Sequence, residues 1–500
     1  MVAALLSHSS RRRWAAAPSL ALLIALGGGT AVLAESVPLA KPVPSLASAQ
    51  PAELAATLAA ASSARVFPAV DLAAIQRYRE PLLDGLAGPT AFNRDTPQLS
   101  DPSLLLGHRL AQLPELDAVL ESRSFAATTT LSGQISAVLG ANRYSGNSLA
   151  GASAANQESG GFSFNNELEL GLNTSFQGND LLFLTLRVGN FGNTPFGGFG
   201  VSGDLSSLEM AFEKRCQYGD CDEVLALDRL GYRWPLGAGF TALVGARVGQ
   251  EDTLPLWPSW YPSTGVLNVF TANGAPAAWN LSEGVGGGIW WEQHGFSIAA
   301  SYIADSGQSG ALIGTAESAA SGSVQVGYSS PSFKLAAIWT RLQRGVASAG
   351  ATVFSAAQLE GTSSEAFGLA GGWQPTEAGW LPSLSLGWGY NRSSLQPPQA
   401  PGRLTESQSW QVALQWQDAL AKGNGLGLAV GQPVFATALS GGRQPDDGGV
   451  ILEGWYRLQL SDAISVAPAL FWLSRPLGMD PPSGGRLGQL GALLRTDITF

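Results

Sequence analysis

Apolar and polar residues alternate along most of the chain from Thr128 onward, and this alternation limits the possible folds. The segment Phe162–Phe176 shows it most clearly. Its apolar side chains share one parity: Phe162, Phe164, Leu168, Leu170, Leu172 and Phe176. The other parity carries Ser163, Asn165, Glu167, Glu169, Asn173 and Ser175. Because successive side chains of a strand point to opposite faces, this segment is predicted to be a strand with one apolar and one polar face.

The same alternation recurs in further segments, so a large β-sheet is expected. Their apolar positions are Leu182, Leu184, Leu186 and Val188; Leu230, Tyr232 and Trp234; Phe240, Ala242, Val244 and Ala246; Phe333, Leu335, Ala337 and Trp339; Leu384, Leu386, Trp388 and Tyr390; and Trp410, Val412, Leu414 and Trp416. Many segments have Trp or Tyr at an end, as in the aromatic girdles of membrane barrels. A soluble sandwich would show the same alternation, so composition has to separate the two.

Composition favours a membrane barrel. Charged residues make up 13% of the chain, whereas soluble domains average about 25%. No segment after residue 34 offers the roughly 18 apolar residues that a membrane-spanning helix needs. Only helices and closed barrels satisfy every backbone group inside lipid, so an apolar chain of this kind is predicted to be a barrel.

Short turns and long loops alternate between the predicted strands and fix their number. The short turns are Gln177–Asn179, Pro235–Gly239, Gln293–Gly295, Ser329–Ser332, Gln374–Trp380, Gln417–Asn424 and Ser461–Ala463. The long loops are 141–160, 190–223, 250–283, 305–321, 342–365, 391–407, 435–450 and 474–487. Seven short turns and eight long loops connect sixteen strands. The sequence therefore predicts an all-β fold, a 16-stranded antiparallel transmembrane β-barrel over 128–500, with short periplasmic turns. Leu208–Phe212 is assigned to the second external loop. Counting it as a strand would give seventeen strands, and the first strand would then start on the external side of the membrane.

The first 34 residues have the pattern of a secretory signal peptide. Three Arg at 11–13 precede an apolar run at 15–29, and small residues at 32 and 34 precede Glu35. This order is typical of a cleaved signal, and the shortness of the apolar run disfavours a retained membrane anchor.

Residues 35–127 are predicted to be a short, partly helical periplasmic extension. They are rich in Ala, Leu and Pro, and helical pieces are expected near Pro51–Ser63 and Pro102–Ser122. Asp101 can cap the second piece, because its carboxylate accepts unpaired backbone N–H groups.

The last residues of the chain alternate up to an aromatic end. Leu490, Ala492, Leu494, Ile498 and Phe500 share one parity. A terminal aromatic after alternate apolar positions resembles the signal by which the barrel-assembly machinery recognises outer-membrane barrels. Phe500 is therefore predicted to be an assembly signal.

Charge and histidine content exclude other classes of protein. Without the three Arg of the signal, 25 basic residues (28 − 3) face 38 acidic ones, a net charge of −13. Nucleic-acid binding needs a basic footprint, so it is not expected. His8, His108 and His294 lie near no Ser or Cys arrangement that suggests a nucleophile and base. The chain is predicted to be no enzyme and to need no metal or cofactor.

Charged residues on the polar parity are expected to face the lumen. Glu167 and Glu169 lie on strand 2; Arg187, Arg229, Arg233 and Arg247 lie on strands 3, 4 and 5. An Arg at the lipid midplane costs roughly 2–4 kcal/mol, whereas one in water shapes the field of a pore. Two interpretations stay open and are compatible: the four Arg line a positive wall, or they pair with loop carboxylates and hold the wall together.

The loop 250–283 is the candidate constriction, because it connects strands 5 and 6, where general porins fold a loop inward. It carries two acids and several aromatic residues: Glu251, Asp252, Trp257, Trp260, Tyr261 and Trp279. The rings can stack on the apolar faces of sugars, or they can pack the loop onto the wall, and packing is the favoured interpretation.

Several strand-borne stretches resemble the outer-membrane porins of cyanobacteria, members of the carbohydrate-selective porin family that include iron-uptake porins. The matching stretches are Phe125–Gly133 (FAATTTLSG), Leu227–Gly237 (LDRLGYRWPLG), Val244–Arg247 (VGAR), Gly425–Val434 (GLGLAVGQPV), Trp455–Pro476 (WYRLQLSDAISVAPALFWLSRP) and Arg495–Phe500 (RTDITF). The resemblance implies passive diffusion of sugars, inorganic ions or iron across the outer membrane. Trimers are expected by analogy with sixteen-stranded porins.

The chain departs from that family at its N-terminus. Typical relatives carry an S-layer homology domain and a coiled coil there, which tether the barrel to peptidoglycan. Residues 35–127 show no convincing form of that domain, and Arg77–Glu80 is a faint echo at most. The alternative function is a structural tether between the outer membrane and the cell wall. Such a tether needs a wall-binding domain, and the sequence shows no convincing one.

Cys216 and Cys221 are predicted to form a disulfide in an external loop. They are the only cysteines, and close pairs in exported chains are commonly bridged. A metal site is the alternative, but no nearby His or further Cys completes four ligands. Mass spectrometry of peptides prepared without reductant should find both residues bridged, and two free thiols would reject the prediction.

Overall fold

The computed structural model describes residues 128–213, 223–261, 266–305, 313–315, 318–344, 350–359, 362–377, 379–394 and 401–500. The predicted signal peptide (1–34) and extension (35–127) lie outside these residues. So do Cys216 and Cys221, and their disulfide stays a prediction.

The described residues form sixteen strands. They are β1 Thr129–Ser145, β2 Gly161–Thr174, β3 Leu181–Gly189, β4 Ala226–Gly237, β5 Phe240–Gly249, β6 Glu283–Gln293, β7 Phe296–Ala304, β8 Ala320–Ser329, β9 Phe333–Leu342, β10 Ser363–Trp373, β11 Ser383–Ser394, β12 Leu404–Gln417, β13 Gly425–Leu439, β14 Ile451–Gln459, β15 Ile464–Leu473 and β16 Gly488–Thr499. The α-helices are α1 Leu149–Ser159 and α2 Val353–Leu359. Short 3₁₀ turns occupy Pro195–Gly197, Gly203–Ser206, Glu251–Thr253 and Asn268–Phe270. Within the described ranges, no helix is long and apolar enough to cross a membrane.

The strands form one closed antiparallel barrel in which each strand pairs with its neighbours in sequence, and β1 pairs with β16. The predicted fold class and the count of sixteen strands are confirmed. Leu208 lies in the loop between β3 and β4, as expected, and makes only an isolated bridge to Leu267. The first external loop is shorter than predicted, because β1 continues to Ser145 before α1 begins.

The alternation of the sequence separates the two faces of the barrel. Phe162 and Phe164 on β2 are 88% and 64% exposed on the outer surface. Asn165 and Glu167, which have the opposite parity, are buried on the inner side. Since the bilayer is the solvent of the outer face, these apolar side chains are exposed to lipid rather than water.

The last residue closes the seam of the barrel. The Phe500 N–H donates to the Gly133 carbonyl (3.0 Å), and the Gly133 N–H donates to the Phe500 carbonyl (2.9 Å). The Phe500 ring lies over Gly133, where an added Cβ would come within 2.2 Å of a ring carbon. The terminal residue therefore both pairs with β1 and packs on it. The closed barrel leaves no unpaired strand edge.

Removal of Phe500 should block assembly of the barrel while leaving export intact, because the deletion removes both the terminal aromatic and the last hydrogen bonds of the seam. The measurement is the amount of heat-modifiable barrel in the outer membrane. Ile498→Ala, which shortens an outward apolar residue on the same strand, is the matched control and should assemble. Normal amounts of barrel after deletion of Phe500 would contradict the prediction.

Candidate pore constriction

The loop between β5 and β6 (residues 250–282, here L3) folds into the barrel. Its contacts reach strands far around the wall. The Trp279 Nε1 donates to Gln325 Oε1 on β8 (2.9 Å), and the Ser409 hydroxyl of β12 donates to the Gly274 carbonyl (2.9 Å). Because L3 begins at β5 and reaches β12, it crosses the lumen, as a constriction loop does.

Small residues on the inner wall make room for L3. A Cβ at Gly387 would lie 1.7 Å from the Asn273 carbonyl oxygen, and a Cβ at Gly368 would lie 2.6 Å from the Trp279 ring. Trp279 is fully buried as a result. Glycine on the inward parity of β10 and β11 thus permits a contact between loop and strand backbones that a larger residue would prevent.

A second loop, between β3 and β4 (residues 190–225, here L2), also packs inside. Phe196 is fully buried and meets the Phe471 ring edge-on, with 6.3 Å between centroids. The Glu209 N–H donates to the Val266 carbonyl (3.0 Å), which joins L2 to L3. The sequence pattern did not predict this inward position of L2. The available signal was the apolar residues of a nominally external loop: Phe191, Phe196, Leu205, Leu208 and Met210.

Arg229 of β4 lies at the centre of a charged cluster at the root of L3. Its guanidinium nitrogens contact Glu251 and Glu283, each at 2.6 Å. Asp252 and Asp228 lie at 3.3 and 3.4 Å. The Arg229 side chain is only 15% exposed. Four carboxylates therefore hold one nearly buried cation and fix the position of L3 against β4.

Arg187 and Arg247 extend the cluster on either side. Arg187 contacts Glu167 at 2.5 Å and Glu169 at 3.6 Å, and it donates to the Met210 carbonyl of L2 (3.1 Å). Arg247 contacts Glu283 at 2.6 Å. The cluster joins three guanidinium groups to six carboxylates: Glu167, Glu169, Asp228, Glu251, Asp252 and Glu283.

Burial disfavours the ionised form of the two acids at the start of L3. Desolvation raises the pKa of Glu251 and of Asp252, and the nearby Arg229 opposes that rise. An unpaired carboxylate in this place would be costly, so the arginine is what allows two adjacent acids to remain there.

Arg233 differs from the other three arginines. It is exposed, and it makes no ion pair within 4 Å with any residue that the structure describes. It pairs across the sheet with Leu181 and with the inward-facing, buried Leu243. Arg233 therefore places a positive charge on the lumen side of β4 without a direct ion pair, although it still interacts electrostatically with Asp252.

Comparison with known proteins identifies the family. Residues 118–500 match the model of the carbohydrate-selective porin, OprB family. The chain belongs to this family. It is an outer-membrane porin for small solutes, and its family consists of channels rather than enzymes.

Individual relatives of the porin are distant. An uncharacterized protein, alr4550, of Nostoc sp. (strain PCC 7120) is 24% identical over 488 residues, covering 89% of this chain and 75% of the relative. The high-pH structure of Pseudomonas putida OprB has a TM-score of 0.49 at 12% identity, covering 78% of this chain and 97% of that one. The anion-selective porin from Comamonas acidovorans has a TM-score of 0.47 at 12% identity, covering 75% and 99%.

The aromatic side chains of L3 are occupied by packing in this porin. The Trp257 Nε1 donates to the Thr271 carbonyl (3.1 Å), and the Trp257 ring meets Trp279 edge-on. Lys334 Nζ lies 4.0 Å from the centre of the Trp260 ring. Tyr261 is buried and hydrogen-bonded to the wall. These contacts are those of the packing interpretation. Among the residues described, no three His, Cys, Asp or Glu side chains are arranged so that they could hold a metal ion.

Arg229 and Arg233 should behave differently when each is replaced by Gln. Arg233→Gln should leave the porin stable and shift its reversal potential toward cations, by an amount that shrinks as salt shortens the screening length from about 10 Å at 0.1 M. Arg229→Gln should instead destabilise the barrel, by up to about 3–5 kcal/mol, because it leaves the buried Asp228 and three partly buried carboxylates without their cationic partner. Reversal potentials in planar bilayers and unfolding midpoints in detergent measure the two effects. An unchanged reversal potential for Arg233→Gln at low salt would show that Arg233 lies off the conducting path.

Proposed function

We propose that this porin is a narrow, selective channel in which L2 and L3 restrict the path to hydrophilic solutes of about monosaccharide size. The observation that carries the proposal is the passage of L3 across the lumen to the far wall. Sugars suit the family's carbohydrate selectivity, and inorganic ions and iron remain further candidate solutes. The domain limits 1–34, 35–127 and 128–500, and assembly as a trimer, are parts of the same proposal.

A buried carboxylate on β14 supports the position of L3 across the lumen. Glu453 is 4% exposed and accepts hydrogen bonds from the Tyr261 hydroxyl (2.5 Å) and from the Leu267 N–H (2.7 Å). The Val266 N–H adds a third donor at 3.3 Å. Burial raises the pKa of Tyr261 well above its ordinary value, so its hydroxyl keeps the proton that it donates.

The charged cluster along the path supports polar solutes. Its three guanidinium groups each contact carboxylates, and its six carboxylates outnumber them, so the cluster presents paired donors and acceptors rather than a positive field. Such groups offer both donors and acceptors to hydroxyl groups. In this proposal, by contrast, the packed aromatic rings of L3 hold the loop in place and do not form a stacking surface for sugars.

Release of L3 from Glu453 tests the proposal. In Glu453→Gln an amide N–H₂ replaces one acceptor and faces backbone and phenol donors, so L3 should detach from β14. Single-channel conductance should then rise by about twofold or more, since the lumen opens at its narrowest place. The largest sugar that enters porin-containing liposomes should grow in parallel.

The control for this experiment is Leu452→Ala, the neighbouring residue on the same strand, which is 41% exposed on the lipid side. Its conductance and sugar cut-off should equal those of the unmodified porin. A high conductance in the unmodified porin that Glu453→Gln leaves unchanged would overturn the proposal, because L3 would then not limit the path.

A further inference from the structure

A cavity of about 190 Å³ lies below the L2–L3 layer, at the end of the barrel that carries the short turns. It is here called the exit cavity. Its wall belongs to β1 and β14–β16, including Gln134, Arg457, Arg495 and Asp497, and Leu208 of L2 contacts it from above. Short turns are periplasmic in bacterial barrels, so the exit cavity faces the periplasm. Its volume exceeds that of several water molecules, which is enough for a small organic solute.

Arg457 is the unexplained group in this cavity. It lies on the inward parity of β14, two residues after the buried Trp455. Its Nε is buried and has no hydrogen-bond partner, and it forms no ion pair with any residue in the described ranges. A guanidinium that lines a cavity without an acidic partner can bind an anionic group of a ligand.

The other charges of the cavity are already paired. Arg495 Nε contacts Asp497 Oδ1 at 2.7 Å, and Asp497 also accepts from the Ser136 hydroxyl at 2.6 Å. Glu209 of L2 lies near Arg495, and burial raises the pKa of Glu209 to about 7, which makes it only partly ionised at neutral pH. Arg457 therefore leaves the lining with one excess positive charge.

The remaining lining has two kinds of surface. Gln134, Gln459, Ser465 and Thr499 offer amide and hydroxyl groups, whereas Leu208 and Leu493 offer apolar contact. A guanidinium presents a planar fork of donors that matches a carboxylate in a bidentate pair. A ligand with a carboxylate at one end and hydroxyl groups on a compact body would satisfy every part of this lining.

We infer that the exit cavity is a binding site for a sugar acid, with the carboxylate of the ligand on Arg457. The inference rests on the proposed function, since solutes must cross the L2–L3 layer to reach the cavity from outside. It adds a second subsite that is separate from the Arg229 cluster. Solutes that carry a carboxylate would pause here before release into the periplasm.

Glucuronate and glucose form a matched pair of probes for this site, because they differ by a carboxylate. Glucuronate added to the short-turn side of single channels should interrupt the current, and glucose at the same concentration should not. Arg457→Gln should weaken the glucuronate affinity about tenfold or more, which corresponds to about 1.4 kcal/mol. Arg443→Gln removes a positive charge from an exposed external loop residue and should leave the affinity unchanged.

Calorimetric titration of the detergent-solubilised porin with glucuronate gives a second readout that does not depend on conduction. Equal binding of glucose and glucuronate to the unmodified porin would overturn the inference, as would unchanged glucuronate binding in Arg457→Gln. Failure of the proposed function would show elsewhere, in a conductance that Glu453→Gln does not alter. Equal binding of the two sugars by the unmodified porin overturns the inference even if Arg457→Gln fails to assemble.

Discussion

Every backbone N–H and C=O group inside a bilayer must find a partner within the protein, and the rest of this structure depends on that requirement. Strands can meet it only if the first strand pairs with the last. Here β1 pairs with β16 over the full length of β16, and Phe500 completes the seam on Gly133. Closure then divides all side chains of the barrel into two populations, one facing lipid and one facing the lumen.

The lumen side is where this porin differs from a wide, water-filled tube. Glycine, alanine and serine on the inward parity let L2 and L3 lie directly on the wall, as at Gly387 and Gly368. Charged residues then fix L3 at two places. The Arg229 cluster holds its root beside β4, and Glu453 holds its middle on β14. A loop attached at both places lies across the lumen.

The luminal arginines have separate roles because their surroundings differ. Arg229 is surrounded by carboxylates and contributes to the position of L3. Arg233 is exposed on the inward parity of β4 and is proposed to contribute charge to the water-filled path. Arg457 has a buried nitrogen with no partner and is the basis for the proposed site in the exit cavity. The role assigned to each arginine thus depends on how many acids lie within its reach and on how much water surrounds it.

The sequence by itself determined the barrel, its sixteen strands, the lipid-facing side of the strands with clear alternation, and the positions of nearly all turns. These follow from a period of two and from turn residues, which are local properties that any short window of sequence carries. Only the tertiary structure decided that L2 folds inward, that Glu453 holds L3, and that Arg229 and Arg233 differ. Tyr261 and Glu453 are 192 positions apart, and Gln250 and Ser323 are 73 apart. Contacts over such separations depend on how the closed barrel brings distant strands around one lumen, and no local pattern in the chain records them.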